Sequence, residues 1–136
     1  MTASFPVNIV TPERIVLSED VDSIQVATVN GSLGVLKGHA PLLAMLGSGE
    51  CVIRLANNTV RRLAISGGCL DVSRDRVTVL ADTAEFEDEI DVTRAEASLL
   101  KAREMLNSQS AEERNNAADA IKRAQVRLRI VKPRAN

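Results

Sequence analysis

Between residues 31 and 43 the chain reads Gly-Ser-Leu-Gly-Val-Leu-Lys-Gly-His-Ala-Pro-Leu-Leu, three glycines within eight residues and then an Ala-Pro step. Proline cannot donate to a sheet ladder, and glycine has no side chain to hold neighbouring backbone away. This stretch must therefore turn tightly and thread close to adjacent strands. Its glycines lack the GxGxxG spacing and the following helix of a dinucleotide loop, so the pattern is structural rather than catalytic.

The residues around it have the period of strands. Val7 and Ile9, then Ile15 and Leu17, flank a turn at Thr11-Pro12-Glu13 and predict a first hairpin. From Asp22 to Val29, Ile24, Val26 and Thr28 alternate with Ser23, Gln25 and Ala27, as in a half-buried strand. Asn57-Asn58 joins 51–56 to 59–66, two residues that tolerate the positive φ of a tight hairpin. Leu70 and Val72, then Val77 and Val79, bracket Ser73-Arg74-Asp75-Arg76 as a further hairpin. Short strands over residues 5–82, with frequent turns and no helix between them, predict antiparallel sheets packed as a sandwich or flattened barrel.

After Ala81 the pattern changes. The acidic run Glu85 to Asp91 precedes Val92, Ala95, Leu99, Ala102 and Leu106, whose 3,4,3,4 spacing is one apolar stripe of a helix. Ser110-Ala111-Glu112-Glu113 has the form of a capping box, and Ala117, Ile121, Ala124, Leu128 and Val131 continue a second helix up to Pro133. The expected fold class is α+β, an antiparallel β-sandwich over residues 1–84 followed by an antiparallel two-helix hairpin over 85–136. The helix seams are rich in alanine, which buries little area, so the hairpin should be held only modestly and be able to open.

Composition excludes several functions. A formal net charge of −1 argues against a general polyanion binder, and with Phe5 and Phe86 as the aromatic residues no base-stacking platform can form. His39 is the single histidine and has no Cys-His or His-His spacing around it, so it reads as a structural residue beside a turn. Cys51 and Cys69 read as reduced core residues, and nothing activates them or Ser66 as a nucleophile. The N-terminus lacks the charged and apolar regions of a signal peptide, and no apolar run approaches the roughly 20 residues of a membrane span. The expectation is a soluble chain, or one peripheral to a membrane through a partner.

The run Gly-x-Leu-Gly-x-Leu-x-Gly-His-Ala-Pro-Leu-Leu, preceded by Val10-Thr11-Pro12-Glu13-Arg14, resembles the epsilon subunits of F-type ATP synthases. Ile65-Ser66-Gly67-Gly68 fits that family's second glycine signature and Ile90-Asp91-Val92-Thr93-Arg94-Ala95 its helical motif, so the likeness spans essentially the whole chain. The resemblance implies a noncatalytic central-stalk subunit that couples proton translocation to ATP synthesis. Its sandwich would dock on the gamma subunit and the c-ring, and its helices would extend to alpha and beta subunits as a brake on ATP hydrolysis. It implies a place on the cytoplasmic face of a bacterial membrane, with a thylakoid membrane as the other host.

Residue by residue, the resemblance marks Glu85, Ile90, Asp91, Arg94, Ala95, Arg123 and Arg127 as the positions where some bacterial members bind ATP as a regulatory ligand. Arg123 and Arg127 stand one helical turn apart, and guanidinium groups so placed can converge on phosphates. On residue chemistry alone, Asp91 is equally a helix cap. The basic run Lys122, Arg123, Arg127, Arg129, Lys132 and Arg134 is the implied inhibitory face. Ser32, Leu33, His39, Pro41 and Leu42 are the implied rotor and ring interface, although the family often has Gly-Glu-Leu-Gly where this chain has Ser32. No catalytic residue, metal or catalytic cofactor is expected. The competing readings are a small sandwich enzyme, which lacks a catalytic constellation, and a free-standing ATP-sensing adaptor built on the same hairpin.

Overall fold

The computed structural model describes residues 4–131. Seven strands come first: β1 Phe5–Val10, β2 Ile15–Thr28, β3 Gly31–Val35, β4 Leu42–Met45, β5 Gly49–Leu55, β6 Val60–Val72 and β7 Val77–Phe86. A single 3-10 turn over Glu87–Glu89 leads to helices α1 Val92–Met105 and α2 Ala111–Val131. The sequence-predicted sandwich followed by a helix pair is the observed architecture.

Two long strands turn the sheet into a sandwich. β2 pairs with β1 through its first half and with β3 and β5 through its second, its register slipping between Val21 and Ser23. A bulge of this kind bends a strand and increases its twist. β2 is therefore one continuous strand where the sequence suggested a hairpin arm and a separate strand. β6 likewise pairs with β5 up to Ile65 and with β4 from Cys69 onward. The corner between these partners is Gly67-Gly68, at φ +66° and +108°. A Cβ on Gly68 would meet the Leu80 carbonyl oxygen of β7 at 1.9 Å, so the close approach requires glycine.

The inward residues of every strand meet in one core of Val, Ile and Leu, with Val7, Ile9, Val21, Cys51, Ile53, Leu63, Leu70 and Val79 wholly enclosed. Most pairings are antiparallel, but β1 runs parallel to β7 and closes the sandwich. Three local readings change. Around Asn57-Asn58 only Asn58 has positive φ, 65°, because the Leu55 N–H bonds to the Thr59 carbonyl and the three-residue loop between them ends on a left-handed residue. Cys69 faces outward beside the core residue Leu70, so of the two free cysteines only Cys51 is a core residue. β7 continues to Phe86, whose ring lies in the sandwich core, so the acidic lead into the helices begins as strand.

In α1 the Asp91 carboxylate accepts the Arg94 N–H at 3.1 Å and caps the helix. In α2 Ser110 accepts the Glu113 N–H at 3.3 Å, but the Glu113 carboxylate takes the Ser108 hydroxyl instead of closing the capping box. Ala95 and Ala102 face Ala117 and Ala124 in the seam, while Val92 and Leu106 at the ends of the first stripe stay exposed. Pro133, the expected stop of α2, lies outside the described residues, as do Lys132 and Arg134.

α2 has a second apolar face that one-stripe periodicity overlooks. Val126 and Ile130, one turn apart, pack with Ala64 of β6 and Ile90 in a small separate core. This contact seats the helix pair against the sandwich.

Candidate functional site

Beside that small core lies an open cleft of about 430 Å³ between sandwich and helices. The turn at 11–14 supplies Thr11, Glu13 and Arg14, and the end of β7 supplies Asp82, Thr83, Ala84 and Glu85. Glu89 of the 3-10 turn, Asp91, Arg94, Ala95 and Ser98 of the α1 entry, and Arg127 of α2 complete the lining. Residues distant in sequence meet here because the β1–β2 turn is drawn to the end of β7. Thr11 shapes that turn, its hydroxyl accepting the N–H groups of Glu13 and Arg14 at 3.3 Å each.

Two ion pairs cross the cleft. Arg127 Nε donates to Glu85 Oε1 at 2.6 Å, with both side chains about 30% exposed, and joins α2 to β7. Arg14 Nη2 donates to Glu89 Oε1 at 2.8 Å, and the same oxygen accepts the Phe86 N–H at 3.0 Å. The Arg14 hydrogen bond, followed by that of Phe86, holds the Glu89 carboxyl below its ordinary range, and Glu89 in turn raises Arg14. Arg94 makes no ion pair among the described residues, which leaves its guanidinium available to an anion. The lining offers a phosphate ester Arg94 directly, and Arg127 only on exchange with Glu85.

Of the seven positions marked for a nucleotide, the cleft brings together Glu85, Asp91, Arg94, Ala95 and Arg127. Arg123 lies around the edge, in a narrow adjoining space it shares with Glu85 and Arg127. Ile90 does not line the cleft, since it is buried in the small core against Val126 and Ile130. Asp91 is engaged as a cap, its carboxylate directed to its own helix. In the basic face of α2, Lys122 and Arg129 point to solvent, whereas Arg123 is half-buried and Arg127 is held by Glu85. No group of three or more His, Cys, Asp or Glu among the described residues is placed to hold a metal ion.

The positions marked for a rotor interface are spread over β3, the following loop and β4. Ser32 accepts a hydrogen bond from Gln25 at 3.0 Å, and the His39 ring Nδ1 lies 2.7 Å from the Ala40 carbonyl oxygen. Pro41 is exposed, but Leu33 and Leu42 turn inward against the core. The outward residues of β4 are Leu43 and Met45, 72% and 63% exposed. Met45 pairs with Cys69 of β6, which pairs with the half-exposed Leu80 of β7, so these three side chains form one apolar row across three strands, with Leu43 two residues before Met45 on the same face but paired with Asp71. Sequence reading missed this row because β4 is apolar on both faces, a pattern that reads as a buried strand. The row is exposed apolar surface on one face of the sandwich.

The family model described as ATP synthase, Delta/Epsilon chain, beta-sandwich domain, matches residues 4–87. The chain is 48% identical over 129 residues to the ATP synthase epsilon chain of Herpetosiphon aurantiacus, covering 94% of each. It is 43% identical over 130 residues to that of Symbiobacterium thermophilum, covering 93% of this chain and 92% of the relative. A chain in the structure of Euglena gracilis mitochondrial ATP synthase superposes with TM-score 0.82 at 24% identity, over 92% of this chain and 79% of that one, and shares the fold.

Proposed function

This chain belongs to the ATP synthase epsilon-chain family, and on that premise we propose that it is a noncatalytic rotor subunit whose helix pair regulates ATP hydrolysis. Its sandwich docks on the gamma subunit and the c-ring and transmits rotation driven by proton flow. Its helices leave the sandwich and reach the alpha and beta subunits in an inhibited state. The chain meets the membrane through the complex, on the cytoplasmic face in a bacterium. No helix among the described residues is long and apolar enough to cross a membrane.

The observation that carries this reading is how little holds the helices in place. Val126 and Ile130 on Ala64 and Ile90, together with the Glu85–Arg127 pair, are the main contacts of α2 with the sandwich, and the helix seam is mostly alanine, with Leu128 the one larger side chain buried in it among the described residues. Such an interface can be exchanged for another of similar strength, which is the requirement of a two-state switch. Lys122 and Arg129 make no ion pair among the described residues and can meet an acidic partner, and opening would release Arg127 as well.

Docking on gamma is assigned to the apolar row of β4, β6 and β7. Calorimetric titration of gamma with Leu43→Glu and Met45→Glu variants is expected to show binding weakened by at least tenfold each, with the sandwich still folded. Binding equal to that of the unaltered chain would remove the assignment.

ATP is proposed as the ligand that favours the compact state, bound in the cleft by Arg94, Arg127 and Arg123. Replacing Arg94 or Arg127 with alanine is expected to weaken ATP binding by about 1.5–3 kcal/mol, the range for a hydrogen bond to a charged group. Isothermal titration of the isolated chain measures this, and no change in either variant would exclude the site.

A further inference from the structure

We infer that the hinge on which the helix pair leaves the sandwich is the step Ile90–Asp91, and that the chain up to Glu89 stays clamped to the sandwich as the helices move. This rests on the two-state reading of the helix pair given above, and it places the mechanical boundary beyond the 84/85 division that the change of sequence pattern suggests.

The segment from Phe86 to Glu89 is fastened to the sandwich from two sides. On one side Arg14 of the β1–β2 turn holds Glu89, whose carboxylate also takes the Phe86 N–H. On the other, the Arg61 guanidinium of β6 lies 3.8 Å over the Phe86 ring, with Asp88 Oδ1 at 4.0 Å. A cation over an aromatic face is attracted to it, and here the ring is also anchored in the sandwich core. None of these contacts involves α1 or α2.

Beyond Glu89 the fastening stops. Ile90 and Asp91 are two successive extended residues, at φ −78°, ψ 123° and φ −85°, ψ 106°, between the 3-10 turn and α1. The Ile90 N–H bonds back to Glu87, while Asp91 caps forward onto Arg94 and accepts the Ala95 N–H. Among the described residues no backbone hydrogen bond crosses from one side of this step to the other. Rotation about Ile90 ψ and Asp91 φ therefore carries α1 away with its cap intact. It separates Val126 and Ile130 from Ile90 and Ala64 and breaks the Glu85–Arg127 pair. A hinge of this kind absorbs its dihedral change at a few residues between rigid bodies.

The test is amide hydrogen exchange by NMR on the full chain, followed residue by residue through low concentrations of denaturant. The amides of Glu85 and Phe86 are expected to exchange with the strands, while those within α1 and α2 exchange earlier as one unit. In Glu89→Ala, exchange at Phe86 is expected to rise about tenfold, with rates inside α2 unchanged. Exchange of Glu85 and Phe86 together with the helices would overturn the hinge and leave the regulatory reading standing. Helices that never exchange ahead of the strands would remove the opening itself, and the hinge with it.

Discussion

Glu89 is an exposed carboxylate that three groups treat as structural: Arg14, the Phe86 N–H and, at longer range, Arg61. Its pKa lies below the ordinary glutamate value of 4.5, with Arg14 as the largest cause. Because the folded value is the lower one, the clamp contributes stability above the unfolded value and loses it as pH falls through the folded one. The pair is partly in solvent, so its effect is small. Carboxyl NMR titration should find Glu89 ionising below the ordinary glutamate value, and Arg14→Met should move it back up. An ordinary value in the unaltered chain would contradict the clamp. Individual side chains were unevenly legible in the sequence. Asp91 is a cap by its position before an apolar stripe, whereas Arg14 and Glu89 are 75 residues apart and nothing local pairs them. Ile90 reads as part of a ligand motif but is packing, because its neighbours Val126 and Ile130 come from a distant turn of α2.

At the scale of elements, the glycines of β6 make a firm case. Gly67-Gly68 is where β6 exchanges β5 for β4, and Gly68 sits against the backbone of β7 with positive φ. Gly68→Ala combines left-handed strain with a backbone clash and should cost about 3 kcal/mol. Chemical denaturation measures this, and a loss below about 1 kcal/mol would mean the corner relaxes freely. The strands of the hairpins were legible because period-2 alternation and turn residues are local signals, whereas β3 and β4 lie in the glycine-rich stretch that reads as a turn. The parallel β1–β7 pairing was not, since it joins the first strand to the last. For the helices, the 3,4 spacing located the alanine seam in both. It did not show that α2 uses two faces, one for α1 and one for the sandwich, because Val126 and Ile130 lie beside the stripe rather than on it.

Across the whole molecule the sandwich and the helix pair are held to very different degrees. Among the described residues the first encloses a continuous core of Val, Ile and Leu; the second is attached through four buried apolar side chains, with Val131 packed beside them, and one ion pair. That asymmetry suits the two proposed roles, a part that stays on a shaft and a part that moves. The most direct measurement is ATP hydrolysis by a catalytic complex depleted of its epsilon subunit, after adding the full chain or a chain ending at Ile90. Ending there keeps Phe86 in the core, which a chain ending at Ala84 would lose. The account predicts that both chains bind and that only the full one slows hydrolysis, less so as salt rises, because the proposed inhibitory contacts are charged. Equal inhibition by both chains, with binding confirmed, would contradict it.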